Sequence, residues 1–275
     1  MFLAAVIQLN SGSDVEVNCV AAEALVRRAV GYGARLVATP ENTNFLGPHS
    51  EKVRRAETLD GPTCTRFATL AAECGVHLLL GSFNERSPDP ARCLNTSVLF
   101  GPGGQRLAVY RKLHLFDVDL GDGQAFAESD TVRAGTEPVT AATELGHLGL
   151  SICYDLRFPE LYRTLVDAGA EVLCTPAAFT LTTGRDHWEP LLRARTIENQ
   201  CYLLAPAQWG RHEDQGVREC YGHAAIVDPW GQVIAAAPDG PGLALAEIDL
   251  GRVTAARARV PSLTHRRFRV VPGRP

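Results

Sequence analysis

Short, almost uninterrupted apolar runs constrain this chain more than any other feature. Phe2–Leu9, Leu36–Thr39, Val76–Ser82, Leu148–Ile152, Val172–Thr175, Tyr202–Ala205 and Ala224–Val227 are each too short for a helix and carry no polar alternation. Such runs read as strands buried on both faces, and strands of that kind need helices or a second sheet to cover them. Helical patterns fall between them. Asp14 is placed to cap a helix with a predicted apolar face of Val17, Ala21, Ala24, Leu25 and Ala29, ended by the glycines at 31 and 33. Pro62 to Cys74 forms another, with Leu70 and Ala71 inward and Gly75 as its stop. A third covers His187–Gln200.

Hairpins interrupt the alternation. Asn95–Phe100 and Gln105–Tyr110 are joined by Gly101-Pro102-Gly103-Gly104, strong turn chemistry, and Val139–Thr143 pairs with Leu148–Ile152. Val233–Ala236 and Leu243–Ile248 supply the last strands. Between Lys112 and Thr136 the pattern dissolves around an Asp- and Gly-rich stretch from Asp117, the mark of a functional or disordered loop. No linker or repeat divides the chain, so residues 1–275 read as one α/β domain, and 45% hydrophobic content fills its core. Two architectures fit: a four-layer α-β-β-α sandwich and a doubly wound sheet.

Charge and composition exclude several classes. A net charge of −4 leaves no electrostatic footprint for nucleic acid. No apolar run reaches the ~18 residues of a membrane span. The apolar N-terminus lacks a basic leader and a small-residue cleavage site, so it reads as a strand rather than a signal peptide. The eight cysteines are scattered without Cys-x-x-Cys spacing, which points to a reducing cytoplasm. The same spacing, and the lack of His-Glu-x-x-His, argues against a zinc hydrolase, so neither metal nor cofactor is expected.

The chemistry concentrates just past three strands. The run Leu148–Ile152 delivers Cys153 to a polar turn, and Pro159 opens a helix with Leu161, Leu165 and Ala168 inward and Gly169 at its end. Most cysteines in a reduced protein only pack, so Cys153 alone proves little. Glu41 follows the Leu36–Thr39 strand and Lys112 follows the strand ending at Tyr110. As a set the three meet one need. A carboxylate can take the proton of a thiol that attacks a carbonyl, and an ammonium with a turn N–H, here Lys112 and Tyr154, can stabilise the oxyanion that forms. A papain-like protease would need a histidine base, and His114, His147 and His223 sit in no protease context.

Pro-Glu at 40–41, Tyr-Arg-Lys-Leu-His-Leu-Phe-Asp at 110–117 and Cys-Tyr-Asp-Leu-Arg-Phe-Pro-Glu at 153–160 resemble the three signature blocks of the nitrilase superfamily of carbon–nitrogen hydrolases. Residues 187–200 and 221–231 are similar to that family as well, so the likeness covers essentially the whole chain. It implies the α-β-β-α sandwich, a Glu–Lys–Cys triad at Glu41, Lys112 and Cys153, and a second glutamate at Glu128 that orients the lysine and helps activate water. It implies a homodimer too.

The blocks around Cys153 and His187 look like the small amidases of 2-oxo acid ω-amides. Deaminated glutathione amidase is the more similar branch, and the ω-amidase of 2-oxoglutaramate is the alternative. On this reading a small carboxylate-bearing amide is cleaved to acid and ammonia through a thioester. Nitrilases proper and carbamoyl hydrolases use the same triad, and a non-catalytic binding module of this fold is the rival from another class. Arg157 is the expected clamp for a substrate carboxylate, Phe45 and Phe179 are candidate pocket walls, and Arg185 and Arg211 are weaker cations. The chain departs from the family at Gly184-Arg185-Asp186, where Gly-Pro-Ala is common, and in Asn-Thr-Asn-Phe-Leu-Gly after Glu41.

Overall fold

Along the first strand, Ala4 and Val6 enter one hydrophobic core while Ala5, Ile7 and Leu9 enter another. A strand turns successive side chains to opposite faces, so an apolar residue at every position demands cover on both. In the computed structural model, which describes residues 1–121, 125–212 and 218–270, that cover is a helical layer on one side and a second sheet on the other.

The first half of the chain runs β1 (Phe2–Leu9), α1 (Val15–Gly31), β2 (Ala34–Ala38), α2 (His49–Arg54), α3 (Pro62–Cys74), β3 (His77–Arg86), β4 (Cys93–Phe100) and β5 (Arg106–Arg111). A small hairpin, β6 (Asp117–Asp119) and β7 (Ala125–Ala127), precedes β8 (Val139–Thr143), β9 (Gly146–Leu150), α4 (Pro159–Asp167) and β10 (Val172–Cys174). Then come α5 (Leu181–Asn199), β11 (Tyr202–Ala205), β12 (Ala207–Arg211), β13 (Glu219–Tyr221), β14 (Ala225–Val227), β15 (Val233–Ala236), β16 (Gly242–Ile248) and α6 (Leu250–Arg259).

One sheet is ordered β13-β12-β1-β2-β3-β4-β5, with β16 antiparallel to β1, and the other is ordered β15-β14-β11-β10-β9-β8. Cys19, Ala22 and Val26 of α1 and Phe67, Leu70 and Ala71 of α3 pack on the outer face of the first sheet. Leu161, Tyr162 and Leu165 of α4 and Trp188 and Leu192 of α5 join the core that also holds both sheets. The layers are therefore α-β-β-α, the sandwich rather than the doubly wound sheet.

Several local expectations shift. The buried face of α1 is Asn18, Cys19, Ala22, Val26 and Ala29, so Val17, Ala21 and Ala24 point outward. Asn18 causes the rotation: its amide bonds Gly12 O and Asn44 O, both at 2.8 Å, and draws that side of the helix inward. In α4, Leu161 and Leu165 are buried but Ala168 is exposed, and Tyr162 and Val166 fill the inner face instead. Helix α5 begins at Leu181, six residues before the predicted start. Thr182, Thr183 and Gly184 are weak helix formers and hide that first turn. Gly184 is there for space, since a Cβ would lie 2.3 Å from Cβ of Tyr221. The irregular stretch after Lys112 contains the β6–β7 hairpin, although Asp122 and Gly123 fall outside the described residues.

Candidate active site

Three strand ends from two sheets converge. Glu41 follows β2, Lys112 follows β5 and Cys153 follows β9. Gly81 on β3 permits the first approach, because a Cβ there would lie 1.9 Å from Thr39 O. Asn42 then takes the left-handed conformation (φ 56°) while its N–H bonds Ser82 Oγ at 2.8 Å. Lys112 is pinned by its main chain, donating to Asn95 O at 2.9 Å and accepting from Gly135 at 2.8 Å.

The side chains form one buried ionic cluster. Lys112 Nζ donates to Glu41 Oε1 at 3.0 Å and to Glu128 Oε2 at 2.8 Å, and all three residues are at most 6% exposed. Asn95 Nδ2 bonds both carboxylates, at 2.8 Å to Glu41 and 3.3 Å to Glu128. Ala178 N–H donates to Glu41 Oε2 at 2.8 Å, and Phe116 N–H to Glu128 Oε2 at 2.7 Å. Burial opposes the charge on Glu128, but Lys112 and Lys52 outweigh it and hold its carboxyl down at about 2. Burial likewise opposes the Lys112 ammonium, yet the two glutamates raise its pKa above the ordinary lysine value. An ion pair that loses water on both sides persists only with such added hydrogen bonds.

Cys153 stands at the edge of this cluster with φ 49°, in the left-handed region. A non-glycine residue there stores about 1–3 kcal/mol of strain, which surrounding contacts must hold. Here Cys153 N–H donates to Pro176 O at 2.9 Å and Asp155 Oδ2 accepts the Ile152 N–H at 2.8 Å. Burial pushes the thiol well above its usual pKa and the Glu41 carboxylate pushes it further, while Lys112 and the Ala178 N–H pull it down. The resting group is a protonated thiol hydrogen-bonded to Glu41. Such a pair can deliver a nucleophile only by handing the proton to the carboxylate as the sulfur attacks.

A pocket opens beside the sulfur, and Glu41, Lys112, Glu128, Cys153, Tyr154 and Phe179 all line it. Among the described residues, no cluster of His, Cys, Asp and Glu is placed to hold a metal ion.

Two other expected residues are placed differently. Phe45 is buried away from the pocket lining, with its ring against Gly47 and under the Arg55 guanidinium, 5.1 Å from the ring centre. It is a core residue rather than a pocket wall. Arg157 also lies outside the lining, stacked over Phe179 (5.1 Å) and Tyr154 (6.0 Å) and 3.3 Å from His187 Nδ1, so it braces two walls from behind. Arg185 and Arg211 are exposed. Trp188 is structural, its indole N–H on His223 O at 2.9 Å. Arg195 pairs with Glu198 at 2.9 Å and also donates to Leu156 O, also at 2.9 Å, which ties α5 to the nucleophile turn.

Sequence reasoning missed Asn95, Asp155 and Lys52. Asn95, which the sequence placed only at the start of a hairpin strand, is 3% exposed and holds both carboxylates. The signal was its position two strands from Glu41 in a polar triplet within an apolar strand.

Similarity to known proteins identifies the family. Residues 3–258 match the model of the carbon-nitrogen hydrolase family. The deaminated glutathione amidase of a Synechocystis strain is 47% identical over 97% of this chain and 98% of its own length. The human deaminated glutathione amidase is 43% identical over 96% of this chain and 82% of its own. Among solved structures, Saccharomyces cerevisiae Nit3, a member of branch 10 of the nitrilase superfamily, superposes with a TM-score of 0.87 at 30% identity, covering 97% of both chains. The chain belongs to the carbon-nitrogen hydrolase family, in the nitrilase superfamily, and is an amidase.

Proposed function

We propose that this amidase hydrolyses deaminated glutathione through a thioester on Cys153, with Glu41 as proton carrier and Lys112 as the oxyanion cation. The observation that carries the reading is one pocket lined by Cys153, Glu41 and Lys112, with Lys112 Nζ bonded to Glu41 at 3.0 Å. Glu41 takes the thiol proton as the sulfur adds to the amide carbon. Lys112 Nζ bonds Glu41 Oε1 and both oxygens of Glu128, so it meets the developing oxyanion, with the Tyr154 N–H, by turning one N–H away from Glu128. Glu41 returns the proton to the leaving nitrogen, the C–N bond breaks, and water then cleaves the thioester. Glu128 keeps Lys112 charged and aimed.

The substrate assignment is supported by full-length relatives that carry that name. The leaving amine follows the amide: ammonia from a primary amide such as 2-oxoglutaramate, cysteinylglycine from deaminated glutathione. A homodimer belongs to the same proposal, supported by Ile197 and Trp230, 52% and 55% exposed on either side of Gly231. So does a reducing cytoplasm, supported by cysteines that form no disulfide among the described residues.

The test is a panel of deaminated glutathione, 2-oxoglutaramate and simple aliphatic amides, assayed by product analysis with the wild-type protein and Cys153→Ala. Deaminated glutathione is expected to give the highest kcat/KM. Cys153→Ala is expected to lose at least about 10⁴-fold in kcat with an unchanged melting temperature. Turnover by Cys153→Ala, or a preference for simple amides, overturns the reading.

A further inference from the structure

The pocket has a basic end that the triad does not use. Lys52, on the short helix α2, is 3% exposed, lines the pocket, and has no acid within ion-pair distance among the described residues. His49 and Arg218 line the same end. Burial, Lys52 and Arg218 together lower His49 to a pKa of about 4, so the imidazole is neutral at physiological pH. An ammonium stripped of water without a partner is unfavourable by several kcal/mol, and its approach to another cation adds to that. Such a group is retained where an anion arrives to complete it.

The walls give direction. Tyr154, Phe116 and Phe126 form a continuous aromatic strip, with ring centres 5.1 and 5.2 Å apart. Arg157 stacks at the Tyr154 end, and Arg218 stacks over Phe126, 5.5 Å from its centre, at the other. Cys153 adjoins the Tyr154 end and Lys52 lines the opposite end of the same pocket, where burial and Arg218 disfavour its charge and Glu128, Cys93 and Glu41 oppose them. In the mechanism proposed above the leaving nitrogen takes its proton from Glu41, so the departing half of the substrate extends past the glutamates.

We propose that Lys52 is the specificity-determining cation for that departing half, and that it binds a carboxylate carried by the leaving amine. This rests on the proposed function: in deaminated glutathione the carboxylate is that of the C-terminal glycine. The acyl half, with its 2-oxo acid, then lies toward Tyr154 and Phe179. Lys52 therefore separates substrates with a charged amine portion from primary amides, which have none.

The experiment compares deaminated glutathione with the same molecule amidated at its glycine carboxyl, in wild type, Lys52→Met and Lys52→Arg. Wild type is expected to favour the free carboxylate by roughly 30-fold or more in kcat/KM, chiefly through KM. Lys52→Met is expected to bring that ratio near one, and Lys52→Arg to restore most of it. The ratio is internal to each variant, so a general loss of stability does not mimic the result. Equal rates of wild type on the two substrates, or a full ratio kept by Lys52→Met, overturn the assignment while leaving the parent reading intact. Failure of wild type to hydrolyse either substrate overturns the parent reading and this one together.

Discussion

Two buried carboxylates, Asp155 and Glu41, support the same site and behave differently. Asp155, fully buried, has both oxygens doubly engaged: Oδ2 by Ile152 N–H (2.8 Å) and Tyr110 O–H (2.6 Å), Oδ1 by His114 N–H (3.1 Å) and Nδ1 (2.7 Å). It does not line the pocket beside Cys153. Glu41 is almost as buried and also bonds Lys112, Asn95 and the Ala178 N–H, but it meets a thiol at the edge of an open pocket as well. A carboxylate with every lone pair occupied acts as a fastener. One that keeps a lone pair toward a transferable proton is a reagent. Asp155 joins the chain just past β5 to the turn after β9, so it fixes the distance between Lys112 and Cys153 without meeting substrate.

Removing Lys112 tests the reagent side and has the largest expected effect. Lys112→Met leaves Glu41 and Glu128 facing each other without their shared cation. Turnover is expected to fall by at least about 10²–10³-fold from the lost oxyanion donor. Stability at pH 7 is expected to fall by about 3–5 kcal/mol, read from urea unfolding. The pH dependence fixes the cause. In wild type the Glu128 carboxyl sits at about 2 in the folded protein against an ordinary 4.5. Its contribution to stability is therefore complete above pH 4.5 and lost as the pH falls toward 2. In Lys112→Met the paired carboxylates are raised instead, so protonation relieves the variant and its deficit narrows as the pH falls through that window. A deficit that is constant with pH would mean the ammonium packs rather than compensates charge.

Why the reagents were legible and the fasteners were not follows from what each requires. Glu41, Lys112 and Cys153 are ionisable residues at the ends of apolar strands, a placement visible in one dimension, and the signature blocks around them fix their company. The fully buried strands β4, β10 and β11 were legible for a related reason, because a run with no charged residue leaves little to disguise it. Asn95 lies inside such a strand, and nothing local separates an amide that bonds two carboxylates from one that breaks a pattern. Arg157 read as a substrate clamp from its place after the nucleophile, yet the fold packs it over Phe179 and Tyr154. Which face of a guanidinium is used depends on contacts 30 residues away, at His187. The rotation of α1 was hidden likewise, because Asn18 is buried by partners at Gly12 and Asn44.

On the fastener side the middle effect comes from Asp155→Asn. An amide keeps one acceptor oxygen but sets an NH₂ where the carboxylate accepted two donors, and both oxygens receive a backbone N–H. One main-chain donor is orphaned whichever way the amide turns. A stability loss of about 2–4 kcal/mol is expected in urea unfolding. The turnover deficit should be smaller than that of Lys112→Met, because the reacting groups remain. A fully stable Asp155→Asn with dead chemistry would move Asp155 into the reagent class.

Tyr110→Phe is the mildest and sharpest version of that test. The phenol is fully buried, donates to Asp155 at 2.6 Å and accepts the Leu113 N–H at 3.3 Å; burial, then the Asp155 charge, hold its pKa well above the ordinary tyrosine value. It therefore stays a neutral donor across the working pH range. Removing one of four donors leaves Asp155 charged and still held by three, so the expected loss is about 1.5–2 kcal/mol, or roughly 3–6 °C in melting temperature. Because the phenol meets neither the sulfur nor the pocket, kcat should stay within about 3-fold of wild type. A Tyr110→Phe protein that melts normally but turns over 100-fold more slowly would show that Asp155 governs the charge of the site, not the spacing of its strands.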